Sequence, residues 1–253
     1  YLSSIVIIKS MTDVNDITNL IVGINTNERE LIRKAYDFAL SAHEGQKRMS
    51  GEPYFIHVFE TAKILAKLEM NTQIIVSGLL HDVLEDTKTP EGEMEKIIEK
   101  EFGSDILFLV KSVTKLGTLK YRGHERYVES LRKFFVAVAN DLRVVIIKFA
   151  DRLHNLRTLE FIREDKRNRI AVESIEVYAP LANRLGMGRL KGELEDAAFP
   201  HAYPKEYAQV EEIIKEKKDL YEKNLSEVKK ELEKELSKNK IKVAEISYRM
   251  KHK

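Results

Sequence analysis

Apolar residues recur at helical spacing over most of the first 200 positions. A helix is predicted after Asn27, in ELIRKAYDFALSAH, another through HVFETAKILAKL and a third after Asn71. The stripe of the first is formed by Leu31, Ile32, Ala35, Phe38, Ala39 and Ala42. Sustained alternation with a period of two, typical of a half-buried strand, is absent before residue 200. The pattern therefore predicts an all-α domain over residues 25–200, preceded by an N-terminal segment, 1–24.

Glycine and proline residues mark where the predicted helices of this domain begin and end. GQKRMSGEPY is predicted to be a loop, and Thr89–Pro90 is a suitable cap and first residue for another helix. Pro180 is expected to kink or end the last of the remaining helices. These helices are predicted around residues 104–115, 122–140, 141–160 and 165–185.

The composition changes after residue 200. Residues 205–236 are rich in charge but keep apolar residues at helical spacing, which predicts an amphipathic helical segment, 201–238, packed on its neighbours. A turn at SKNK then leads into IKVAEISYRMKHK, which has the character of a first β-strand. We assign residues 239–253 to the start of a further domain.

The amino-acid composition argues against several kinds of partner and of metal site. The 253 residues carry a net charge of +2, so no strong field favours a nucleic acid or a membrane as partner. The chain has no cysteine, which excludes disulfides and thiolate metal sites and favours a reducing compartment, the cytoplasm. No apolar run reaches transmembrane length.

Polar residues that follow apolar helical runs form the candidate chemistry. LLHDVLEDT ends a predicted buried helix in His81 and Asp82, while the segment PYFIHVFETA contributes His57 and KFADRLHNLRTL contributes Asp151. Each alone is more often structural, but the ordered set H…HD…D predicts one site for a divalent ion such as Mn²⁺, Fe²⁺ or Zn²⁺. Asn155 and Thr158 share the helix face of Asp151.

These segments resemble the HD superfamily of metal-dependent phosphohydrolases and, within it, the long RelA/SpoT homologues. Besides the ligand segments, the similarity is carried by SGEPYFIHV, VTKLG and YAPLANRLGMGRLKGELEDAAF, and it covers most of residues 40–200. The resemblance implies Mn²⁺-dependent removal of pyrophosphate from the 3′ position of guanosine 3′,5′-bis(diphosphate). It also implies that the chain is the hydrolase half of a longer bifunctional enzyme, with a truncated α/β synthetase domain and regulatory domains downstream.

The resemblance implies roles for individual residues. Glu85 and Asp86 would orient or deprotonate the attacking water or protonate the leaving oxygen, although a solvent-facing helix end is the alternative interpretation. Nucleotide recognition, with Asn155 also serving the chemistry, would fall to Arg48, Ser50, Asn155 and Thr158. Met49 and Val58 depart from many relatives, which have a basic residue and a proline there.

Three readings remain open from the sequence. The chain is an alarmone hydrolase, an HD phosphohydrolase acting on another nucleotide, or a non-catalytic module that binds the alarmone. Basic residues cluster near VTKLG and could contact the diphosphates of a substrate, but we favour the interpretation that they form a solvated helix end. They are Lys111, Lys115, Lys120 and Arg122.

Overall fold

The computed structural model describes residues 8, 11–86, 90–117, 132, 134–243 and 246. The described chain is helical and holds no β-strand, which confirms the predicted all-α class; a single β-bridge joins Lys47 to Pro53. No described helix is long and apolar enough to cross a membrane. The α-helices are α1 (Asn15–Thr18), α2 (Thr26–Ala42), α3 (Phe55–Lys67), α4 (Thr72–Leu80), α5 (Val83–Asp86), α6 (Glu91–Phe102), α7 (Ser104–Gly117), α8 (Leu142–Arg157), α9 (Glu164–Glu173), α10 (Ala179–Arg184), α11 (Gly188–Ala202) and α12 (Pro204–Lys238).

Local side-chain bonds decide where the early helices begin. The prediction that α2 starts after Asn27 is wrong, because Asn25 caps it: the Asn25 side chain accepts from the Glu28 amide, and Glu28 accepts from the Asn25 amide, each at 3.0 Å. Asn71 caps α4 as predicted, accepting from the Ile74 amide at 3.1 Å. Pro90 is the N-cap of α6 rather than its first residue, and Thr89 lies outside the described residues.

Helix α4 runs through the centre of the core. All of its residues except Gln73 are buried, and it packs against α2, α3, α7 and α8. Gly78 allows the close approach to α3, because a Cβ there would lie 2.5 Å from Leu65 Cδ1 and 3.6 Å from Ala62 Cα. The C-terminal half of α4 is thereby held against the later turns of α3, and α4 also packs on α8.

Pro180 changes the helix geometry without ending the helix. A π-helix, Ser174–Tyr178, follows α9 and leads directly into α10. Proline has no amide hydrogen, and its ring clashes with the carbonyl four residues earlier, so one widened turn accommodates it. The turn brings Tyr178 against α8, where its hydroxyl accepts from Arg152 at 2.7 Å.

Helix α12 confirms that the charged segment after residue 200 is helical, but it packs on its neighbours less than predicted. Helix α11 buries Leu190, Leu194 and Ala198 in the core, whereas no described side chain of α12 is buried. The apolar stripe was expected to pack on its neighbours, and among the described residues this holds only near the start of the helix. There Val210 and Ile214 are half-buried and the Tyr207 ring lies 5.5 Å from that of Phe199 in α11, whereas Ile213 is 57% exposed. Of the predicted strand, residues 241–243 and 246 are not extended into a sheet, and the rest lies outside the described residues. The predicted helix over 122–140 is described only at 132 and 134–140, which are helical.

Candidate metal centre

Four predicted ligands meet where α3, α4 and α8 come together. His57 lies in the first turn of α3, with Nε2 3.4 Å from Asp82 Oδ2 and 3.3 Å from Asp151 Oδ1. His81 Nε2 lies 3.2 Å from Asp82 Oδ2 and 3.9 Å from Asp151 Oδ1. Both imidazoles are buried, and His57, His81 and Asp151 each offer one ligand atom within 4.8 Å of the others. Three helices thus supply two nitrogens and two carboxylate oxygens to one small volume.

The His81 ring is oriented as a metal ligand requires. Its Nδ1 lies 2.8 Å from the Gly78 carbonyl oxygen, which can only accept, so Nδ1 carries a proton. Its buried Nε2 has no hydrogen-bond partner within the described part of the chain. A cation between Nε2 and the two carboxylates would satisfy this nitrogen, so the donor set fits a divalent metal ion.

Asp82 is held by a neighbour that the sequence analysis did not identify. The Tyr54 hydroxyl, just before α3, donates to Asp82 Oδ2 at 2.8 Å. Burial alone would raise the pKa of Asp82, but His81 and His57 outweigh it and hold that pKa well below its usual range. Asp82 is therefore an ionised carboxylate with a fixed orientation.

Asp151 uses its two oxygens differently. Oδ2 pairs with Lys148 Nζ at 2.6 Å, while Oδ1 faces the histidines and accepts from the Asn155 side-chain amide. Burial raises the pKa of Asp151, but Lys148, His57 and His81 together hold it well below its usual range. One oxygen is thus neutralised by lysine and the other faces the cluster.

The cluster attracts positive charge. Burial lowers the pKa of His81, but the carboxylates of Asp82 and Asp151 outweigh burial and raise that pKa to about 9. A proton on His81 and a metal ion at Nε2 exclude each other. The two carboxylates therefore favour a cation beside His81 Nε2.

Arg48 connects the 46–54 loop to the metal ligands. The loop closes through the bridge between Lys47 and Pro53. Its Arg48 guanidinium reaches α8, where Nη2 donates to Asn155 Oδ1 and Nη1 lies 3.3 Å from Thr158 Oγ1 and 3.2 Å from His154 Nδ1. Three predicted nucleotide contacts, Arg48, Asn155 and Thr158, are thus next to each other and next to Asp151.

The loop tip lies farther out. Ser50 is half-buried and donates to Glu52 Oε2 at 3.2 Å. Gly51 has a φ of +85°, a left-handed conformation that favours glycine. Met49 is 73% exposed, so the departure from the basic residue of relatives affects only the outer edge of the site.

The two carboxylates after the HD pair belong to the short helix α5. The Glu85 side chain is exposed, one turn beyond His81, while the side chain of Asp86 lies outside what the structure describes. Of the basic cluster, Lys111 pairs with Glu95 at 2.7 Å, in agreement with the favoured structural reading; Lys120 and Arg122 lie outside the described residues.

Three residues of the site were not predicted from the sequence: Tyr54, Lys148 and His154. The signal for the last two was present, because they flank Asp151 at i−3 and i+3 and so share its helix face. His154 is buried, and its Nδ1 lies 2.8 Å from His57 Nδ1. Burial, with the neighbouring His57 ring and Arg48 guanidinium, lowers the pKa of His154 to about 3, so this ring is neutral.

Comparison with known proteins agrees with this geometry. The chain is 46% identical over 224 residues to the guanosine-3′,5′-bis(diphosphate) 3′-pyrophosphohydrolase of Aquifex aeolicus, covering 88% of this chain and 31% of the relative. It is 44% identical over 207 residues to the bifunctional (p)ppGpp synthase/hydrolase SpoT of Escherichia coli, covering 80% and 29%. The chain therefore spans less than a third of the length of these curated relatives.

The chain is also similar to a solved structure and to a family model. The structure, of a metazoan orthologue of SpoT that hydrolyses ppGpp and plays a role in starvation responses, has a TM-score of 0.51 and 26% identity, covering 68% of this chain and 94% of its own. The resemblance to RelA/SpoT homologues is thus confirmed. The HD domain model matches residues 35–188, the segment that contains all four clustered ligands. The chain belongs to the HD-domain family.

Proposed function

We propose that this chain hydrolyses guanosine 3′,5′-bis(diphosphate), and its 5′-triphosphate analogue, at the 3′-diphosphate. The products are pyrophosphate and GDP or GTP. The observation that carries the proposal is the junction of two sites: the four metal-ligating side chains lie directly beside Arg48, Asn155 and Thr158. A phosphohydrolase of a nucleotide needs both in one place.

We further propose Mn²⁺ as the ion, held by His57, His81, Asp82 and Asp151. Imidazole and carboxylate ligands without thiolate suit such an ion. When bound, it would polarise the phosphate and lower the pKa of a water molecule. The chain's own contribution is orientation: Tyr54, Gly78 and Lys148 hold Asp82, His81 and Asp151 in place.

Nucleotide recognition is proposed for the loop and α8 together. The planar Arg48 guanidinium can stack on guanine, and Ser50 with the loop backbone at Gly51 can approach the base edge. Asn155 and Thr158 would contact the ribose or the 3′-phosphate. Arg48 now donates to Asn155, so a bound nucleotide would compete for the donors of that guanidinium.

The proton transfers are proposed for Glu85 and Asp86. One would orient or deprotonate the attacking water and the other would protonate the leaving ribose oxygen. Support comes from their position on α5, which begins two residues after His81. A carboxylate near a metal site has the perturbed proton affinity that general acid–base catalysis uses.

Pyrophosphate release from guanosine 3′,5′-bis(diphosphate) tests the proposal. We expect release with Mn²⁺ and none with EDTA. Asp82→Ala should reduce the rate by several orders of magnitude, while Asp165→Asn, which alters an exposed carboxylate paired with Arg163, should not. Release that is unaffected by EDTA or by Asp82→Ala would contradict the proposed chemistry.

A substrate panel separates the alternatives. Faster turnover of a deoxynucleoside triphosphate or a cyclic nucleotide would indicate an HD phosphohydrolase of different specificity. Saturable binding of the alarmone by metal-loaded protein without any turnover would indicate a regulatory binding module. Either result would overturn the proposed activity.

We also propose a domain organisation for this chain. We assign residues 1–24 to an N-terminal segment, 25–200 to the hydrolase domain, 201–238 to a connector and 239–253 to the start of a synthetase domain in a cytoplasmic enzyme. Support comes from the HD match, from helix α12 and from relatives about three times as long, one named GTP pyrophosphokinase in Myxococcus xanthus.

A further inference from the structure

His154 links the nucleotide-binding loop to a metal ligand. Its Nδ1 lies 2.8 Å from His57 Nδ1 and 3.2 Å from Arg48 Nη1, and the two imidazole centroids are 4.9 Å apart. The ring is 7% exposed, and His57 is 2% exposed. One nitrogen atom thus faces two side chains from different parts of the proposed site.

In the contacts among Arg48, His154 and His57, the hydrogen-bond donors and acceptors can be assigned. Arginine has only N–H donors and stays protonated, so His154 Nδ1 must accept and carries no proton. The 2.8 Å contact between the two Nδ1 atoms still requires one proton, which therefore belongs to His57. With its proton on Nδ1, a neutral His57 has a lone pair on Nε2, the atom that faces Asp82 and Asp151.

We infer that His154 is a positioning residue that holds His57 in its metal-binding tautomer, in competition with Arg48. The inference rests on the proposed function, because it concerns the same metal ion and the same nucleotide loop. When Arg48 turns towards a nucleotide, the whole lone pair of His154 Nδ1 becomes available to His57. Loading of the nucleotide loop and ligation of the metal are coupled through this one nitrogen atom.

Mn²⁺ titration of metal-free protein tests the positioning role without any turnover. His154→Leu removes the acceptor, and we expect a Kd for Mn²⁺ about 10 to 100 times higher, the usual effect of losing an outer partner of a ligating histidine. His154→Asn places an amide oxygen near the position of Nδ1, so it should restore most of the affinity. Thermal melts of both metal-free variants verify their folding.

A double-mutant cycle tests the competition. Arg48→Met should tighten Mn²⁺ binding in the unchanged background, because His57 gains the lone pair and a nearby cation is lost. In the His154→Leu background there is no lone pair for His57 to gain, so only the loss of the nearby cation remains. The increase in Mn²⁺ affinity caused by Arg48→Met should therefore be smaller there. Equal gains in both backgrounds would overturn the coupling.

The outcomes distinguish this inference from the proposed function. If the unchanged protein binds no Mn²⁺, both fail. If it binds Mn²⁺ and His154→Leu binds equally well, or His154→Asn is as weak as His154→Leu, the positioning role is wrong while the metal site stands. If His154→Leu does not fold, the Asn variant and Arg48→Met still decide: unchanged affinity for Mn²⁺ in Arg48→Met contradicts the competition.

Discussion

Lys148 neutralises a buried carboxylate that the metal ion would otherwise neutralise. Its ammonium lies 2.6 Å from Asp151 Oδ2, and the two side chains are only 18% and 7% exposed. A buried carboxylate without a partner is costly, because no water replaces the lost solvation. Lys148 thus allows the metal-free site to fold with its ligand already ionised.

Lys148→Met should therefore destabilise the metal-free protein and increase its dependence on metal. We expect a loss of roughly 3 kcal/mol of unfolding free energy, as for other broken buried ion pairs. Because Mn²⁺ can compensate the carboxylate instead, it should raise the melting temperature of Lys148→Met more than that of the unchanged protein. Calorimetric melts with Mn²⁺ and with EDTA measure both effects.

A surface lysine provides the control. Lys238 pairs with Glu235 at 3.4 Å, and Lys238→Met should change stability by less than about 1 kcal/mol, as expected for exposed pairs. Equal sensitivity of the two variants to Mn²⁺ would show that Lys148 does not substitute for the metal charge.

The clustering of the four candidate ligands could be predicted from the sequence more readily than the side chains that support them. The candidate ligands have imidazole and carboxylate side chains, which are typical of metal sites, and their order along the chain matches a known family. They are His57, His81, Asp82 and Asp151. Tyr54, Lys148 and His154 are ordinary polar residues whose roles depend on tertiary placement. His154 meets His57 across 97 positions, a contact that periodicity within α8 cannot indicate.

Helix α4 controls how closely the ligands approach one another. It ends at Leu80, directly before His81 and Asp82, and is packed against α3, which carries His57. The missing side chain of Gly78 makes room for Leu65, which is completely buried. The spacing between the two histidines therefore depends on one helix–helix contact.

Gly78→Ala should open this contact. The new Cβ would lie 2.5 Å from Leu65 Cδ1, so Leu65 or α3 must move. Overpacking of this kind costs about 1–3 kcal/mol, and the displacement should also weaken Mn²⁺ binding because it separates His57 from His81. Denaturant unfolding and Mn²⁺ titration give the two quantities.

Gly92→Ala is the matched substitution in α6. Nothing lies within 4 Å of its added Cβ, so the alanine should stabilise the helix by about 0.5–1 kcal/mol and leave the Mn²⁺ affinity unchanged. If Gly78→Ala were also stabilising, the close contact between α3 and α4 would not be a determinant of the site.

Element types were more predictable than element boundaries. The apolar period predicts that a helix exists, whereas its first residue depends on a specific bond such as the one between Asn25 and Glu28. The widened turn before Pro180 shows the same limit: the proline predicts a disturbance, but packing of Tyr178 on Arg152 accompanies continuation of the helix.

At the scale of the whole molecule, the HD fold and helix α12 differ in how they are stabilised. Helix α11 belongs to the core, since it packs on α8 and buries Leu190 and Leu194. The described side chains of α12 are all at least partly exposed, including the apolar Val228 and Leu232. An amphipathic pattern predicts a stripe but cannot specify what covers it, which is why the predicted packing of α12 holds, among the described residues, only near its start, beside α11.

Removal of residues 204–253 should therefore leave the HD fold and its metal site intact. Hydrophobic stabilisation follows the apolar area removed from water, and the described part of α12 buries little of it. We expect the shortened protein to melt within a few degrees of the unchanged chain and to bind Mn²⁺ with the same affinity. Ending the chain at Arg184 instead removes α11 and exposes the α8 face opposite the ligands, so that fragment should not fold cooperatively. A large loss of stability in the first truncation would mean that α12 contributes to the core, against the exposure of its described residues.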